Sequence, residues 1–191
     1  MIPAAFDYVR AGSAEEAISL IGEHGDEAKF LAGGHSLLPL MKLRLAQPSV
    51  LVDIGRVTDL SYIRDGGDHV AIGALTRHMD IENSELLQAD APLLAHAASH
   101  VGDPQVRHRG TIGGSLAHAD PASDLPATTL ALRIESSNWV LPWSTWPMIT
   151  TTGGRGSREA GSSSYSTMLR CRPSSTDSSS GANSTSTSHP K

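Results

Sequence analysis

Two short segments of this chain combine residue types that can hold an anion by its oxygens: Ala32-Gly33-Gly34-His35-Ser36 and Thr111-Ile112-Gly113-Gly114-Ser115. Glycine has no Cβ, so successive backbone N–H groups can converge on one point, and a neighbouring hydroxyl adds a further donor. A pyrophosphate needs several such donors at once. The same pattern also makes a plain turn between a strand and a helix, and one such loop alone does not separate the two readings. Neither segment has the GxGxxG spacing of a nucleotide-binding βαβ unit or the GxxxxGK[ST] spacing of a P-loop, which disfavours both of those sites.

Other polar groups are candidates of lower specificity. His96 and His100 stand four apart on a predicted helix and could present two imidazoles to a metal. The intervening Glu of HExxH is missing, and such pairs are common on the outer face of amphipathic helices. His118, Asp120 and Asp124 have the residue types of a hard-ligand cluster. Arg107 and Arg109 could neutralise a phosphate or simply hold their loop, and His35 reads as a loop residue beside the phosphates rather than a catalyst.

The elements that must position these groups follow from periodicity and turn chemistry. Ser13-Ala14-Glu15-Glu16 has the capping-box pattern, and Ala14, Ala17, Ile18 and Ile21 then share one helix face up to Gly25. Lys29 to Ala32 is a short apolar strand running into the first glycine pair, Leu37 to Leu45 returns to helical spacing around Pro39, and Val50 to Ile54 reads as a second buried strand. This order predicts a small unit with parallel strands, closing near Gly55. Beyond it, Asp65-Gly66-Gly67-Asp68 marks a tight turn between Leu60–Arg64 and His69–Leu75, a predicted hairpin. Helices are expected over Thr76–Glu82 and Ala91–Val101, the latter burying Leu93, Leu94, Ala97, Ala98 and Val101. Gly102–Ser123 reads as a long irregular stretch, and Leu125–Leu132 as a further helix. The expected fold class is α+β, with a small α/β unit (1–55) and a larger α+β unit built on an antiparallel sheet (56–132).

Composition narrows the function further. Residues 1–132 carry 17 acidic against 9 basic side chains, and residues 133–191 carry 3 against 6. An acidic ordered region without clustered Lys and Arg argues against a nucleic-acid partner. Cys171 is the single cysteine, so the chain holds neither an internal disulfide nor the thiolate set of an iron–sulfur cluster. With no signal-peptide pattern and no apolar run of about 20 residues, the expectation is a cytoplasmic protein. At Arg133 the apolar periodicity stops. Ser and Thr make up 24 of the 59 residues that follow, and Trp139, Trp143 and Trp146 lie within eight residues of one another. Residues 133–191 therefore read as a Ser/Thr-rich tail unable to bury a core, and a shift of reading frame explains it better than a natural disordered tail.

The segments AGGHSLLPLMKLRLAQP and GDPQVRHRGTIGGSLAHADPASDLPA resemble the two FAD-binding signatures of the molybdenum hydroxylase flavoprotein family, and the likeness extends over nearly all of residues 1–132. Within that family the chain is most similar to the medium subunits of aerobic carbon monoxide dehydrogenases. The resemblance implies a two-subdomain FAD-binding domain with the cofactor extended in the cleft between the units. Ala32, Gly33, Gly34, His35 and Ser36 would wrap the pyrophosphate through backbone N–H groups, and Thr111, Ile112, Gly113, Gly114 and Ser115 would contact it from the other side. Asp124 matches a position bonded to the ribityl or adenosine part, and Leu75-Thr76 lies where the family also approaches the cofactor. It implies that no side chain acts as a catalyst, because the flavin carries the chemistry. The implied partners are a molybdenum-binding large subunit and an iron–sulfur small subunit in a heterotrimer, with dimerisation of that complex left open. Electrons would arrive from the iron–sulfur clusters and leave to an external acceptor, in the cytoplasm or at the inner face of the membrane.

The chain departs from the family after Leu132, where relatives continue with more strands and a further domain. The expected fold is therefore incomplete at its C-terminal side, with an unpaired sheet edge. Two rivals stand beside the electron-transfer subunit: a flavin-free truncated subunit that only docks to its partners, and a flavoprotein oxidase acting alone. The oxidase is disfavoured by the lack of a residue placed to attach flavin covalently and of a substrate-binding domain.

Overall fold

The computed structural model describes residues 2–132 and the backbone of residues 135–137 and 168–171. The first unit is a three-stranded parallel sheet of β1 (Asp7–Arg10), β2 (Ala28–Leu31) and β3 (Val50–Asp53), in the order β1-β3-β2. Val50 pairs with both Asp7 and Ala28, so β3 is central. Its Val50, Leu51 and Val52 are buried, each burial stabilising the fold by roughly 1.5–3 kcal/mol. Helix α1 (Ala14–His24) packs Ala17 and Ile21 against β2 and β3. Its N-terminus is capped as the sequence predicts: the Ser13 hydroxyl accepts from the Glu16 N–H at 3.2 Å. The Glu16 carboxylate reaches back one residue further than in a standard box, accepting from the Gly12 N–H at 2.7 Å. Strand β1 has no counterpart in the sequence reading. It is an edge strand with mostly exposed side chains, held by parallel pairing and by the Tyr8 hydroxyl donating to Asp53.

The second unit starts with the expected hairpin, β4 (Ile63–Asp65) and β5 (Val70–Gly73), antiparallel with Ile63 opposite Ile72. The turn is fixed by Gly67 at φ 86° and by its N–H donating to the Asp65 carboxylate at 2.7 Å. Helices α3 (His78–Glu82), α4 (Glu85–Asp90) and α5 (Pro92–His100) pack together with β5 and the later helix α8 (Asp124–Ala131) around Ile72, Ile81, Leu87, Leu94 and Leu125. On α5, Leu94, Ala97 and Ala98 are buried as expected, whereas Leu93 is 46% exposed and leaves that face.

The expected irregular stretch from Gly102 to Ser123 contains two short helices, α6 (Pro104–Arg109) and α7 (Ile112–His118). The prolines and glycines that suggested a loop instead mark their boundaries. Asp103 caps α6, accepting from the Val106 N–H at 3.0 Å, with Pro104 in the first turn. Thr111 caps α7.

The β5 edge is not left open. Strands β6 (Glu135–Ser137) and β7 (Met168–Cys171) complete a four-stranded sheet in the order β4-β5-β7-β6, with Val70 paired to Cys171 and Gly73 to Met168. Backbone from within the Ser/Thr-rich region thus occupies the edge expected to be unpaired. The rest of that region, including the three tryptophans and the frame-shift reading, lies outside the described residues. A small apolar cluster of Val57, Leu60 and Leu75 with Ala14, Ala32 and Ile54 joins the two units, and the groove between them opens beside it.

Candidate functional site

Strand β2 ends at Leu31, whose carbonyl accepts from the Ile54 N–H at 3.0 Å. The chain then turns through Ala32–Ser36 into α2 (Leu37–Lys42). Gly34 has φ 78°, a conformation that disfavours any residue with a Cβ. The carbonyls of Gly34 and Ser36 are committed to the Leu38 and Leu40 N–H groups, at 3.0 and 3.3 Å. The N–H groups of Gly33, Gly34, His35 and Ser36 donate to no acceptor among the described residues. Four consecutive N–H groups of one loop are thus left without a protein acceptor.

The second glycine pair is built differently. Four of its five N–H groups are already used: Ile112 donates to Thr76 O at 3.0 Å, Gly113 to Ala74 O at 2.9 Å, Gly114 to the Thr111 hydroxyl at 3.2 Å, and Ser115 to Thr111 O at 3.0 Å. This segment is a capped helix start, not a second amide cradle, and what it turns toward the groove are Thr111 and the Gly113–Ser115 surface. Gly113 is required for packing, since a Cβ there would lie 2.6 Å from Ala74 O.

The two segments meet directly. A Cβ on Gly33 would fall far inside van der Waals distance of Arg109 O and 3.0 Å from Gly110 Cα. The first loop can therefore lie against the α6–α7 turn only because Gly33 has no side chain. Between them opens a cleft of about 1140 Å³, slightly above the usual range of about 300–1,000 Å³ for small-molecule sites. Ala32, Gly33, Gly34, His35, Ser36, Thr111, Gly113, Gly114 and Ser115 all line it. Two of the sequence-derived candidates do not. The Ile112 side chain is fully buried in the second unit's core, and Asp124 sits exposed in the first turn of α8, next to the lining residue Ser123. Leu75 lines the cleft, whereas Thr76 is buried with its hydroxyl donating to Tyr62 O at 2.9 Å.

The remaining candidates sort by contact. Arg107 is a structural group: its Nε pairs with the Glu82 carboxylate at 2.9 Å and its guanidinium donates to Val101 O at 3.3 Å. Arg109 is exposed and does not line the cleft. His118 and Asp120 line it near Ala119, a C-cap in the left-handed region at φ 51°, without Asp124 joining them. His96 and His100 are exposed, their rings 4.4 Å apart, with His100 Nδ1 at 3.0 Å from His96 O. No group of three or more His, Cys, Asp or Glu able to hold a metal is found among the described residues, and no helix there is long and apolar enough to cross a membrane.

One residue of the cleft was missed in the sequence. His78, at the start of α3, is 3% exposed and lines the cleft, and its Nδ1 has no hydrogen-bond partner. Burial, helped by the nearby His35, lowers its pKa to about 4, so the ring is neutral at pH 7. Lys29 also lines the cleft, its ammonium pKa lowered by burial and partly restored by Asp26. Apolar lining comes from Ile18, Ile21, Phe30, Leu40 and Leu45. The cleft thus combines N–H groups without a protein acceptor among the described residues with apolar side chains.

Compared with known proteins, residues 4–135 match the family described as FAD binding domain in molybdopterin dehydrogenase. The chain is 53% identical over 133 residues to the carbon monoxide dehydrogenase medium chain of Hydrogenophaga pseudoflava, covering 70% of this chain and 46% of that one. It is 52% identical over 132 residues to the 6-hydroxypseudooxynicotine dehydrogenase complex subunit alpha of Paenarthrobacter nicotinovorans, covering 69% and 45%. Its structure superposes on that of the Hydrogenophaga pseudoflava carbon monoxide dehydrogenase lacking the Mo-pyranopterin moiety with a TM-score of 0.70, at 52% identity, covering 71% and 47% of the two chains. The chain thus spans about half the length of the curated relatives it matches.

Proposed function

The chain belongs to the FAD-binding domain family of molybdopterin dehydrogenases, and from that premise we propose that it is the flavin-carrying part of a molybdenum hydroxylase's electron-transfer subunit. The observation that carries this reading is the set of four N–H groups from Gly33 to Ser36 without an acceptor among the described residues, in a loop that lines the same cleft of about 1140 Å³ as the second glycine segment. In this reading those amides hold the pyrophosphate of FAD. Thr111 and Ser115 close on it from the α7 side with hydroxyls rather than amides, and Asp124, at the rim beside Ser123, accepts from a hydroxyl of the ribityl or adenosine part. The apolar wall excludes water from the ring system. Bound FAD supplies two-electron and one-electron transfer chemistry. The residues of this chain bind it, orient it and keep its surroundings dry; none is asked to move a proton.

The whole complex follows as part of the proposal. A molybdenum-binding large subunit and an iron–sulfur small subunit would deliver electrons to this subunit, and an external acceptor would remove them. A carbon monoxide dehydrogenase is the first assignment for the parent complex. The similar identity to a subunit of a 6-hydroxypseudooxynicotine dehydrogenase keeps a nitrogen-heterocycle substrate class as the second, because the substrate is met by another chain. The flavin-free docking subunit is disfavoured, since the cradle lies wholly within residues that carry the family match.

The test is a titration of the purified chain with FAD, followed by flavin fluorescence. Saturable one-to-one binding, much tighter than that of riboflavin, which lacks the pyrophosphate, supports the reading. Equal affinity for the two, or no binding, overturns it. For the electron-transfer role, substrate added anaerobically to the three-subunit complex should bleach the flavin, while substrate added to this subunit alone should leave it oxidised.

A further inference from the structure

His78 has no assigned task in the reading above, yet it stands where the two halves of the site are joined. Its backbone N–H donates to Gly110 O at 3.1 Å. Its imidazole lies directly beneath the same residue: a Cβ on Gly110 would come within 2.7 Å of Cδ2 and 2.8 Å of Nε2. Gly110 Cα and the Arg109 carbonyl in turn form the surface on which Gly33 rests. Imidazole, Gly110 turn and Gly33 loop are thus stacked in van der Waals contact, with a side chain only at the bottom of the stack. Moving the ring moves the turn, and moving the turn moves the four free amides. The ring is nearly fully buried and its Nδ1 makes no hydrogen bond, so that nitrogen gives the surrounding structure packing and no polar contact.

We propose that His78 is a positioning residue for the cofactor site: its imidazole props the Gly110 turn and thereby sets the place of the Gly33–Ser36 amides. The proposal rests on the FAD reading for its ligand, but the contact itself does not. It explains why both Gly33 and Gly110 lack side chains although neither has a positive φ: each is a point of close approach in the same stack.

Three variants and two readouts test it. His78→Ala removes the prop and should weaken FAD binding by about tenfold or more, since displacing an oriented group by about 1 Å is costly. His78→Phe keeps a planar ring of similar size, removes the unpartnered nitrogen, and should retain FAD binding within about threefold. Gly110→Ala drives its new Cβ into the ring and should weaken binding, whereas Gly110→Ala combined with His78→Ala should bind more tightly than Gly110→Ala alone, because the methyl enters the vacated space. Melting temperature of the ligand-free protein separates loss of the loop from loss of the fold. Amide chemical shifts of Gly33–Ser36 in the ligand-free protein report loop position without FAD; they should move in both single variants that disturb the stack and stay in His78→Phe. If wild-type protein fails to bind FAD, the functional reading falls and the shifts still decide the stack. If His78→Ala does not fold, His78→Phe and the Gly110 pair decide it. Loss of FAD binding in His78→Phe at an unchanged melting temperature would overturn the proposal, as would unmoved loop shifts in Gly110→Ala.

Discussion

Gly33→Ala is the substitution whose consequence the structure fixes most tightly. The added methyl would overlap Arg109 O and stand 3.0 Å from both Arg109 C and Gly110 Cα. All of these are backbone atoms, so no rotamer change can relieve the contact, and either the loop or the α6–α7 turn must shift by about 1 Å. Overpacking of this kind costs roughly 1–3 kcal/mol, less than the 5–15 kcal/mol stability of a typical domain, so the variant should still fold, with a lowered melting temperature. The effect on ligand is larger in proportion. Each hydrogen bond from an amide to a charged phosphate is worth about 1.5–3 kcal/mol, so misaligning one or two of the four donors should weaken FAD binding by about 10- to 1,000-fold. Gly22→Ala on α1 is the control: nothing lies within 4 Å of its new methyl, and replacing a glycine in the last turn of the helix should stabilise by up to about 1 kcal/mol without touching affinity. Thermal melts followed by circular dichroism, with FAD titrations of each variant, read both quantities. FAD affinity in Gly33→Ala within about threefold of wild type would refute the reasoning.

Thr111→Ala removes the acceptor for the Gly114 N–H and should cost about 1 kcal/mol of stability in denaturant melts, with a further loss of FAD affinity from the missing hydroxyl. His78 makes ligand-free stability depend on pH. Its folded pKa of about 4 lies below the ordinary imidazole value of 6.5, so the unfolded chain binds the extra proton first. Stability is intact above pH 6.5 and falls as pH drops through the window to 4, by about 2 kcal/mol at pH 5 and about 3 kcal/mol in full. Denaturant midpoints measured from pH 8 to 5 should show that component in wild type and not in His78→Phe, and parallel profiles would contradict it. Nucleotide sequencing around codon 132, translated in all frames, should restore apolar periodicity downstream in another frame. Continued Ser/Thr-rich composition in every frame would establish the tail as natural.

The parts of the fold visible in the sequence are those where local chemistry and tertiary structure agree. Ser13 and Glu16 cap α1 because a hydroxyl and a carboxylate at that spacing reach free N–H groups wherever the helix packs. Asp65-Gly66-Gly67-Asp68 makes its turn from within. Strand β1 was not legible, since an exposed four-residue edge strand carries no apolar alternation and is held by its partner β3. The two helices inside Gly102–Ser123 were legible in principle: Asp103-Pro104 and Thr111 are cap signals, outweighed by the density of glycine and proline around them. Helix α4 was equally signalled by Ser84, whose hydroxyl accepts from the Leu87 N–H.

The site divides in the same way. Both glycine pairs were found from their composition, but four glycines of similar appearance perform different tasks. Gly34 supplies a positive φ, Gly33 and Gly113 allow backbone to meet backbone, and Gly114 bonds its own cap. Only three-dimensional contact distinguishes them, and only it shows which N–H groups of the two segments lack a protein acceptor. His78 leaves no mark in the sequence, because a histidine at the start of a helix is unremarkable until its surroundings exclude water.

The central claim is that the Gly33–Ser36 amides receive the pyrophosphate, and amide nitrogen–proton correlation spectra of the labelled protein test it residue by residue. Adding FAD should shift the amide protons of Gly33, Gly34, His35 and Ser36 strongly downfield, as new hydrogen bonds form to charged oxygens. Those of Ile112 and Gly113, already bonded to Thr76 and Ala74, should move little. Largest shifts at Ile112–Ser115 with an unchanged Gly33–Ser36 loop would contradict the account.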